Sequence, residues 1–572
     1  MTRRVVIVGH GMVGARFAEE VRRRDPAGER AVLTVIGAES HPAYNRVLLS
    51  TVLAGGLSAE SVRLHGPDWA GERRVDLRTG VAVTAIDRAA RRVLLSDGGS
   101  EPYDELVLAT GSRAWVPPID GLLVPSGRSV SSATAPDTAV GSGMAGGSDP
   151  AGGSDPAGGS DGVNGPDGVN RSDTADGASE LADGVATFRD LDDCVRILRL
   201  ARPGSRVAVL GGGLLGLEAA RGLAGRGVRV TVLHPVGHLM ERQLDPGASA
   251  VLAGALGKLG VDVRLNVMAK RWSPELGLEC NDGTTLSVDA VVVSAGVRPE
   301  TGLAAEAGIA VDRGVLVDDR MGTSDDRVHA IGDCARHPGT VSGLVQPGFE
   351  QAEVLAALLT GADPAARYRG TPLVTRLKAR GIDLAAVGDA LVEPGDDPMD
   401  AGVEVLRFED PWRGRYSKIV LRDDRLIGAI MLGVPDAAAS AIQLFDSGAP
   451  APSDRLALLL GRALPGESRD TAGTAAADSP ALLPSSALIC RCNTVSKGAL
   501  VTAWRAGATD VDALSRATRA STGCGSCRSA VAGICDWLAA AEPAGAGTAT
   551  GTAAGAEPAG AVAQSDQGEG AA

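Results

Sequence analysis

Two strand–glycine–helix units, a block of short alternating strands and four closely paired cysteines predict an α/β chain of several domains. At roughly 100–200 residues per domain, the 572 residues correspond to three or four. A formal net charge of −14 with no long Lys/Arg run excludes a basic nucleic-acid binder. No apolar run reaches the roughly 18 residues that cross a bilayer. Arg3 and Arg4 lead straight into Val5-Val-Ile-Val8 and Gly9, without an apolar signal segment. The expectation is a soluble, cytoplasmic protein with no nucleic-acid and no membrane partner.

The first block covers residues 1–123. An apolar strand at 4–8 enters the turn Gly9-His-Gly11-Met12-Val-Gly14, a helical pattern follows over 13–24, and a second strand lies at 31–36. This βαβ start predicts a parallel sheet. In G-x-G-x-x-G the first glycine makes the tight turn, the second admits a pyrophosphate close to the backbone, and the third lets helix and strand pack closely. The helix N-terminus adds N–H groups and a positive dipole end. A turn of this kind is equally a plain structural one, but Glu39, just past the second strand, is placed to accept ribose hydroxyls. Residues 124–186 contain the tandem repeat GGSDPA and almost no large apolar side chain. They cannot bury enough surface to offset their ordering entropy, and no fold is expected there.

Order is expected to resume at Thr187-Phe-Arg-Asp, a helix start, and a second strand–glycine–helix unit follows at 205–226 with Gly211-Gly-Gly213-Leu-Leu215-Gly216. Two such units in one chain strengthen each other, because each predicts its own dinucleotide. The next strand, 228–233, ends in His234, where an acidic residue would favour NADH and an Arg cluster NADPH. Neither is present, so the residues leave that choice open. His234 and His238 are four apart but lack a third ligand, and read as a surface loop rather than a zinc pair. The strand leading to Ala109-Thr110-Gly111 and the strand ending at Asp333 are either core strands with ordinary turns or further walls of a nucleotide site, Asp333 being suited to a polyol hydroxyl. Residues 371–455 form a small α+β domain, 464–486 a Pro/Ala/Ser/Gly linker, 487–540 a cysteine-bearing domain and 541–572 a tail without expected fold.

Cysteines 194, 280, 334 and 535 stand singly, whereas Cys490-x-Cys492 and Cys524-x-x-Cys527 supply four thiolates separated by 31 residues. Four thiolates hold Zn²⁺ or a [2Fe–2S] cluster, and C-x-C is the less usual spacing for zinc. Six Lys/Arg (491, 497, 505, 516, 519, 528) against three Asp (510, 512, 536) suit an anionic cofactor, or are solvated helix charges. No cysteine precedes Cys194, and Cys334 beside Asp333 stands alone. A thiol relay needs a thiolate, usually with a close partner, so disulfide reduction is excluded.

In this order the signals resemble flavoprotein pyridine-nucleotide reductases with two Rossmann-like, glutathione-reductase-like domains, over about 1–123 and 187–365. The resemblance implies an FAD domain (1–123 and 299–365) with FAD at Gly9, Gly11, Met12, Gly14, Glu39, Arg46, Thr110, Gly111 and Asp333. It implies NAD(P)H in a domain at 187–298, at Gly211, Gly213, Leu215, Gly216 and His234. The words around the four cysteines, Ile489-Cys-Arg-Cys-Asn493 and Ser521-Thr-Gly-Cys-Gly-Ser-Cys527, are similar to the bacterioferritin-associated ferredoxin-like module, which implies a [2Fe–2S] cluster held by Cys490, Cys492, Cys524 and Cys527 in a small helical domain. His41-Pro-Ala-Tyr44-Asn45-Arg46, Leu239-Met-Glu-Arg-Gln-Leu-Asp245, Gly343-Leu-Val-Gln-Pro-Gly-Phe-Glu350-Gln351 and Thr375-Arg-Leu-Lys378-Ala-Arg-Gly-Ile-Asp383 resemble NADH-dependent nitrite reductase large subunits. That branch implies NADH, with NADPH the other candidate, and makes Arg46 an FAD contact rather than a plain surface charge. Those enzymes continue into a sirohaem and [4Fe–4S] section needing four further cysteines in two close groups, which this sequence lacks. The resemblance is therefore to the electron-transfer subunit of assimilatory nitrate reductase, or a separated reductase part of nitrite reductase. It implies transfer from NADH through FAD and the cluster to a separate nitrate or nitrite reductase catalytic subunit. No general acid or base is implied, and the linker would let the cluster domain shuttle. A ferredoxin- or rubredoxin-reductase-like enzyme with another acceptor, and a flavin/cluster redox sensor, are the alternatives.

Overall fold

The computed structural model describes residues 2–125, 179–338, 343–395, 402–460, 480–490, 493, 495–522 and 527–542. The chain divides into two units, 1–467 and 468–572.

In the first unit, Val5 to Val8 are buried throughout, as residues of a strand covered on both faces must be. Arg3–Val8 pairs in parallel with Ala31–Gly37 on one side and Glu105–Leu108 on the other. Val75–Thr79 and Val328–Ala330 complete the sheet as its two edges, again in parallel. Helix Met12–Arg24 buries Ala15, Ala18 and Val21 along one stripe and packs against helix Val345–Thr360. Its last turn carries Arg22, Arg23 and Arg24, favourable against the helix dipole.

A second five-stranded parallel sheet repeats the plan. Arg206–Leu210 lies between Arg229–His234 and Ala290–Val293, with Val261–Leu265 and Val185–Thr187 outside them. In both sheets the strand before the glycine turn sits where the strand order reverses, so a crevice opens at its C-terminal end. The helix start expected at Thr187 falls at Asp190, whose side chain caps Leu191–Leu200 in a reciprocal arrangement with Asp193.

The segment expected to lack fold, 124–186, is structured at both ends. Leu123–Pro125 pairs antiparallel with Ser179–Leu181, and Val185–Thr187 is an edge strand of the second sheet. The reason is local: Ala182 and Val185 are buried with Leu122, Trp272 and Leu278, apolar contacts that the GGSDPA repeat cannot make. Residues 126–178 of that segment lie outside the described residues.

An antiparallel sheet follows, in the order Val374–Ala379, Ile382–Gly388, Arg425–Leu432, Arg415–Arg422, Val403–Asp410. Its alternation is two-sided. Leu384, Tyr416, Ile430 and Leu432 pack with Val251, Leu252 and Leu256 of helix Pro246–Lys258, whereas Ala385, Ile419, Ala429 and Met431 meet Ala437 and Ala441 of helix Pro435–Ser447. Lys418 lies on the first face at 0% exposure; its Nζ donates to Glu393 at 2.9 Å and is 3.7 Å from Asp245. The Tyr416 hydroxyl donates to Asp245 at 2.5 Å, and Asp245 caps helix Pro246–Lys258. This polar clamp ties the antiparallel sheet to that helix.

The second unit comprises the hairpin Leu488–Cys490/Val495–Ser496 and helices Lys497–Arg505, Val511–Thr518 and Arg528–Ala541, which bury Leu500, Leu514, Val531, Ile534 and Leu538. Residues 480–486, read from composition as linker, carry the short turn Pro480–Leu482. Lys497 donates to the carbonyls of Ala481 and Leu483 and lies over the Trp537 ring, which holds that stretch to the helices. Residues 464–479 lie outside the described residues. No helix among the described residues is long and apolar enough to cross a membrane.

Candidate dinucleotide sites and cluster module

The two glycine turns are built alike. Gly9 has φ +113° and a Cβ there would lie 2.2 Å from the Ala109 carbonyl oxygen, at the end of the neighbouring strand. A Cβ on Gly14 would lie 2.0 Å from the Gly9 oxygen, while around Gly11 the nearest atom is Arg46 Nε at 4.0 Å. In the second turn Gly211 has φ +122° and its Cβ would meet the Ser294 oxygen at 2.2 Å; that of Gly216 would meet the Gly211 oxygen at 2.1 Å. Gly213 has nothing within 4 Å. First and third glycines are thus packed shut and the second faces open space. Helices Met12–Arg24 and Leu214–Ala224 start there without a side-chain cap. Their first N–H groups remain for a ligand, and the residues present fit a pyrophosphate.

Around the first turn, Gly9, Glu39, Thr110, Gly111 and Asp333 follow the C-terminal ends of adjacent strands of one sheet, Met12 and Gly14 lie at the start of the helix, and Arg46 opens the short turn Arg46–Leu48. Glu39 is ion-paired with Arg46 and accepts from the Tyr44 hydroxyl at 2.9 Å, whose ionisation is pushed far up, first of all by burial. Arg46 also reaches the Arg189 carbonyl at 3.4 Å. Asp333 accepts from Ser112 Oγ at 2.8 Å and Arg189 Nη2 at 2.7 Å, and Thr110 donates to the Glu300 carbonyl at 2.9 Å. Gly111 has φ +73° and open space around it. Ser112 and Arg189 were missed by motif reading, because neither stands in a glycine or acidic pattern and their meeting with Asp333 spans more than a hundred residues. His10, inside the first turn, has both ring nitrogens buried without a hydrogen-bond partner among the described residues, and burial, helped by His65, pushes its pKa down to about 4.

At the second turn Leu215 lies in the first turn of its helix. His234 is not on a surface loop, as the sequence suggested, but is the buried last residue of Arg229–His234. Its Nδ1 accepts the Gly212 N–H at 3.1 Å and its Nε2 lies 3.1 Å from Glu241 Oε2. Among the described residues no group of three His, Cys, Asp or Glu is placed to hold a metal ion.

In the cysteine module, Cys490 ends the first hairpin strand at 0% exposure and Cys527 precedes the last helix at 8%. Asn493 Nδ2 lies 3.8 Å from Cys490 Sγ and donates to the Arg519 carbonyl at 2.7 Å. Buried sulfurs with an amide donor alongside suit an anionic cluster, since such donors stabilise charge on sulfur. Cys492 and Cys524 lie outside the described residues. Of the cations counted in this stretch, Lys497 is held by backbone carbonyls, Arg505 by Glu542 and Arg528 by Asp512. In the first unit, burial pushes the Cys194 thiol up to about 12 and raises those of Cys280 and Cys334. These are packing residues.

Residues 3–143 and 167–353 match the family described as pyridine nucleotide-disulphide oxidoreductase. Residues 374–443 match the rubredoxin NAD+ reductase C-terminal domain, and 488–537 the BFD-like [2Fe-2S] binding domain. The chain is 33% identical over 92% of its length to nitrite reductase [NAD(P)H] of Bacillus subtilis, and 31% identical over 94% to the assimilatory nitrate reductase electron transfer subunit of the same organism. It spans 56% and 60% of those two proteins. Among solved structures, the covalent putidaredoxin reductase–putidaredoxin complex is similar at TM-score 0.61 and 26% identity, covering 78% of this chain and 94% of that one. FAD, NADH and a [2Fe–2S] cluster are the cofactors these domains bind. With more than half of its length in that match, the chain belongs to the pyridine nucleotide-disulphide oxidoreductase family.

Proposed function

We propose that this chain takes electrons from NADH and delivers them, through FAD and the [2Fe–2S] cluster, to a separate nitrate or nitrite reductase catalytic subunit in nitrate assimilation. One observation carries the reading: two equivalent glycine cradles lie in a unit whose cysteines are all buried, and a cysteine module matched to a [2Fe–2S] domain follows on the same chain. When bound, FAD supplies the exchange between a two-electron hydride and single electrons, and the cluster carries the single electrons.

The chain's own residues position and exclude. Gly9, Gly11 and Gly14 admit the FAD pyrophosphate to the N-terminus of Met12–Arg24, with Glu39 and Asp333 as acceptors for its ribose and polyol hydroxyls and Arg46 and Arg189 balancing those carboxylates. Thr110 and Gly111 line the same strand end. Gly211, Gly213, Leu215 and Gly216 admit NADH to the second helix. Cys490, Cys492, Cys524 and Cys527 hold the cluster, with Asn493 donating toward sulfur. No side-chain acid or base is required, because the exchange moves a hydride and then electrons.

An anaerobic NADH titration of the cluster-replete chain, followed by absorbance and low-temperature EPR, tests the reading. Flavin bleaching followed by a reduced [2Fe–2S] signal is expected. Flavin reduction without a cluster signal, in protein containing zinc, would overturn it. The match of 374–443 to a rubredoxin reductase domain favours, as a second reading, a small electron-carrier acceptor. Turnover with rubredoxin or ferredoxin, set against turnover with a nitrate reductase catalytic subunit, separates the two.

A further inference from the structure

We infer that Glu241 selects NADH over NADPH, with His234 as its positioning residue. This rests on the reading that the turn 211–216 takes a dinucleotide. An acidic side chain at the end of the second strand of such a unit ordinarily accepts the adenine-ribose 2′-hydroxyl of NADH and repels the 2′-phosphate of NADPH. Here that position is His234, and the histidine cannot do it. Its Nδ1 accepts the Gly212 N–H at 3.1 Å, so Nδ1 carries no proton and Nε2 does. Nε2–H then donates to Glu241 Oε2 at 3.1 Å. Both ring nitrogens are engaged, and neither is left to accept a hydroxyl.

The carboxylate held by that ring supplies the missing acid. Glu241 is 38% exposed at its side chain and makes no other hydrogen bond among the described residues. The backbone delivers it to the turn. Met240 adopts φ +51° and its N–H donates to the Gly212 carbonyl at 3.0 Å, while the Leu239 N–H donates to Ser249 Oγ at 2.6 Å. A Cβ on Gly212 would lie 2.6 Å from Leu239 Cδ2 and 2.8 Å from His234 Cγ, so a side chain here would displace the His234 ring and the Leu239 segment that close on it. Glu241 therefore stands beside the pyrophosphate cradle, on the side toward the strand end where the ribose belongs. The adjacent Arg242 is exposed and is the cation left on this segment once the Glu241 charge is removed.

The test is calorimetric titration of ADP-ribose and 2′-phospho-ADP-ribose into the full chain loaded with FAD and cluster, for wild type, E241Q, H234L and H234Q, with kcat/KM for NADH and NADPH alongside. Wild type is expected to prefer ADP-ribose. E241Q should narrow that preference by about ten- to a hundredfold, the scale of one hydrogen bond to a charged group, with the phosphorylated ligand gaining. H234L should narrow it in the same direction by freeing Glu241. H234Q, whose amide both accepts from Gly212 and donates to Glu241, should restore part of it. A uniform loss of both ligands in E241Q, or an unchanged ratio, would overturn the assignment. Wild type binding neither ligand would instead overturn the dinucleotide reading beneath it.

Discussion

Alanine at Gly216 and alanine at Gly213 should have opposite effects, because the two glycines face different things. A Cβ at 216 would sit 2.1 Å from the Gly211 carbonyl oxygen and 3.1 Å from its carbon, both backbone atoms. An ordinary carbon–oxygen contact is about 3.3–3.6 Å, so the overlap exceeds an ångström and helix Leu214–Ala224 must lift from strand Arg206–Leu210. Overpacking of this kind costs about 1–3 kcal/mol, which at about 1 °C per kcal/mol for a unit of this size lowers the melting temperature by about 1–3 °C. Gly213 has nothing within 4 Å and extended backbone, φ −80° and ψ 177°, that any residue adopts. Its alanine variant changes only the N-cap, at under about 1 kcal/mol. The new methyl, however, occupies the space that admits the pyrophosphate, and loss of one N–H···phosphate bond there weakens NADH at least about tenfold. The assay pairs thermal melts of the flavin-loaded protein without NADH with NADH titrations of flavin absorbance. G213A should melt close to wild type and bind NADH poorly; G216A should melt early. If G213A binds NADH as wild type does, or G216A is as stable as wild type, the argument from the glycine geometry fails. Gly11 and Gly14 make the same pair for FAD content.

Three further outcomes follow from other parts of the molecule. Lys418→Met removes the buried cation, while Glu393 keeps Arg407 and Asp245 keeps the Tyr416 hydroxyl, so it should cost about 1.5–3 kcal/mol in denaturant unfolding, the scale of a hydrogen bond to a charged group; an unchanged midpoint would show that the clamp is not a stability element. Cys490→Ser should abolish the cluster absorbance and EPR signal while NADH still bleaches the flavin, and a surviving [2Fe–2S] signal would remove Cys490 from the ligand set. The Asp104 carboxyl is held down at about 2, chiefly by its hydrogen bond from the Arg4 guanidinium, against an ordinary value of about 3.9. A depressed carboxylate stabilises the fold fully above its unfolded value and loses that contribution as pH falls toward its folded one. Melting temperature followed between about pH 4 and pH 2 should therefore fall less steeply in Asp104→Asn than in wild type, and parallel slopes would refute the pairing.

The parts of the fold that could be read from the residues are those set by neighbours in the chain. The runs before Gly9 and Gly211 are strands because apolar residues follow one another without interruption, all of them β-branched over residues 5–8 and alternate ones over residues 207–210, and the glycines are turns because the backbone there needs φ above zero or no Cβ. The paired cysteines announced their module in the same way. Composition misjudged residues 179–186, where Ala182 and Val185 find a core supplied by Leu122, Trp272 and Leu278, and 480–486, which Lys497 holds to the helices. It placed His234 at the surface, whereas packing buries it against Gly212.

By itself, then, the sequence determined the two nucleotide-binding units, the order of the blocks and the four-cysteine pattern, all carried by local spacing. Only the tertiary structure decided which carboxylates meet which cations: Asp333 with Arg189, Lys418 with Glu393 and Asp245, and Glu241 with the ring of His234. The physical reason is that a charged side chain bears no periodicity of its own. Its partner is chosen by which strand ends and helix starts the buried apolar faces bring together, and the hydrogen bonds then form among the groups left at those ends.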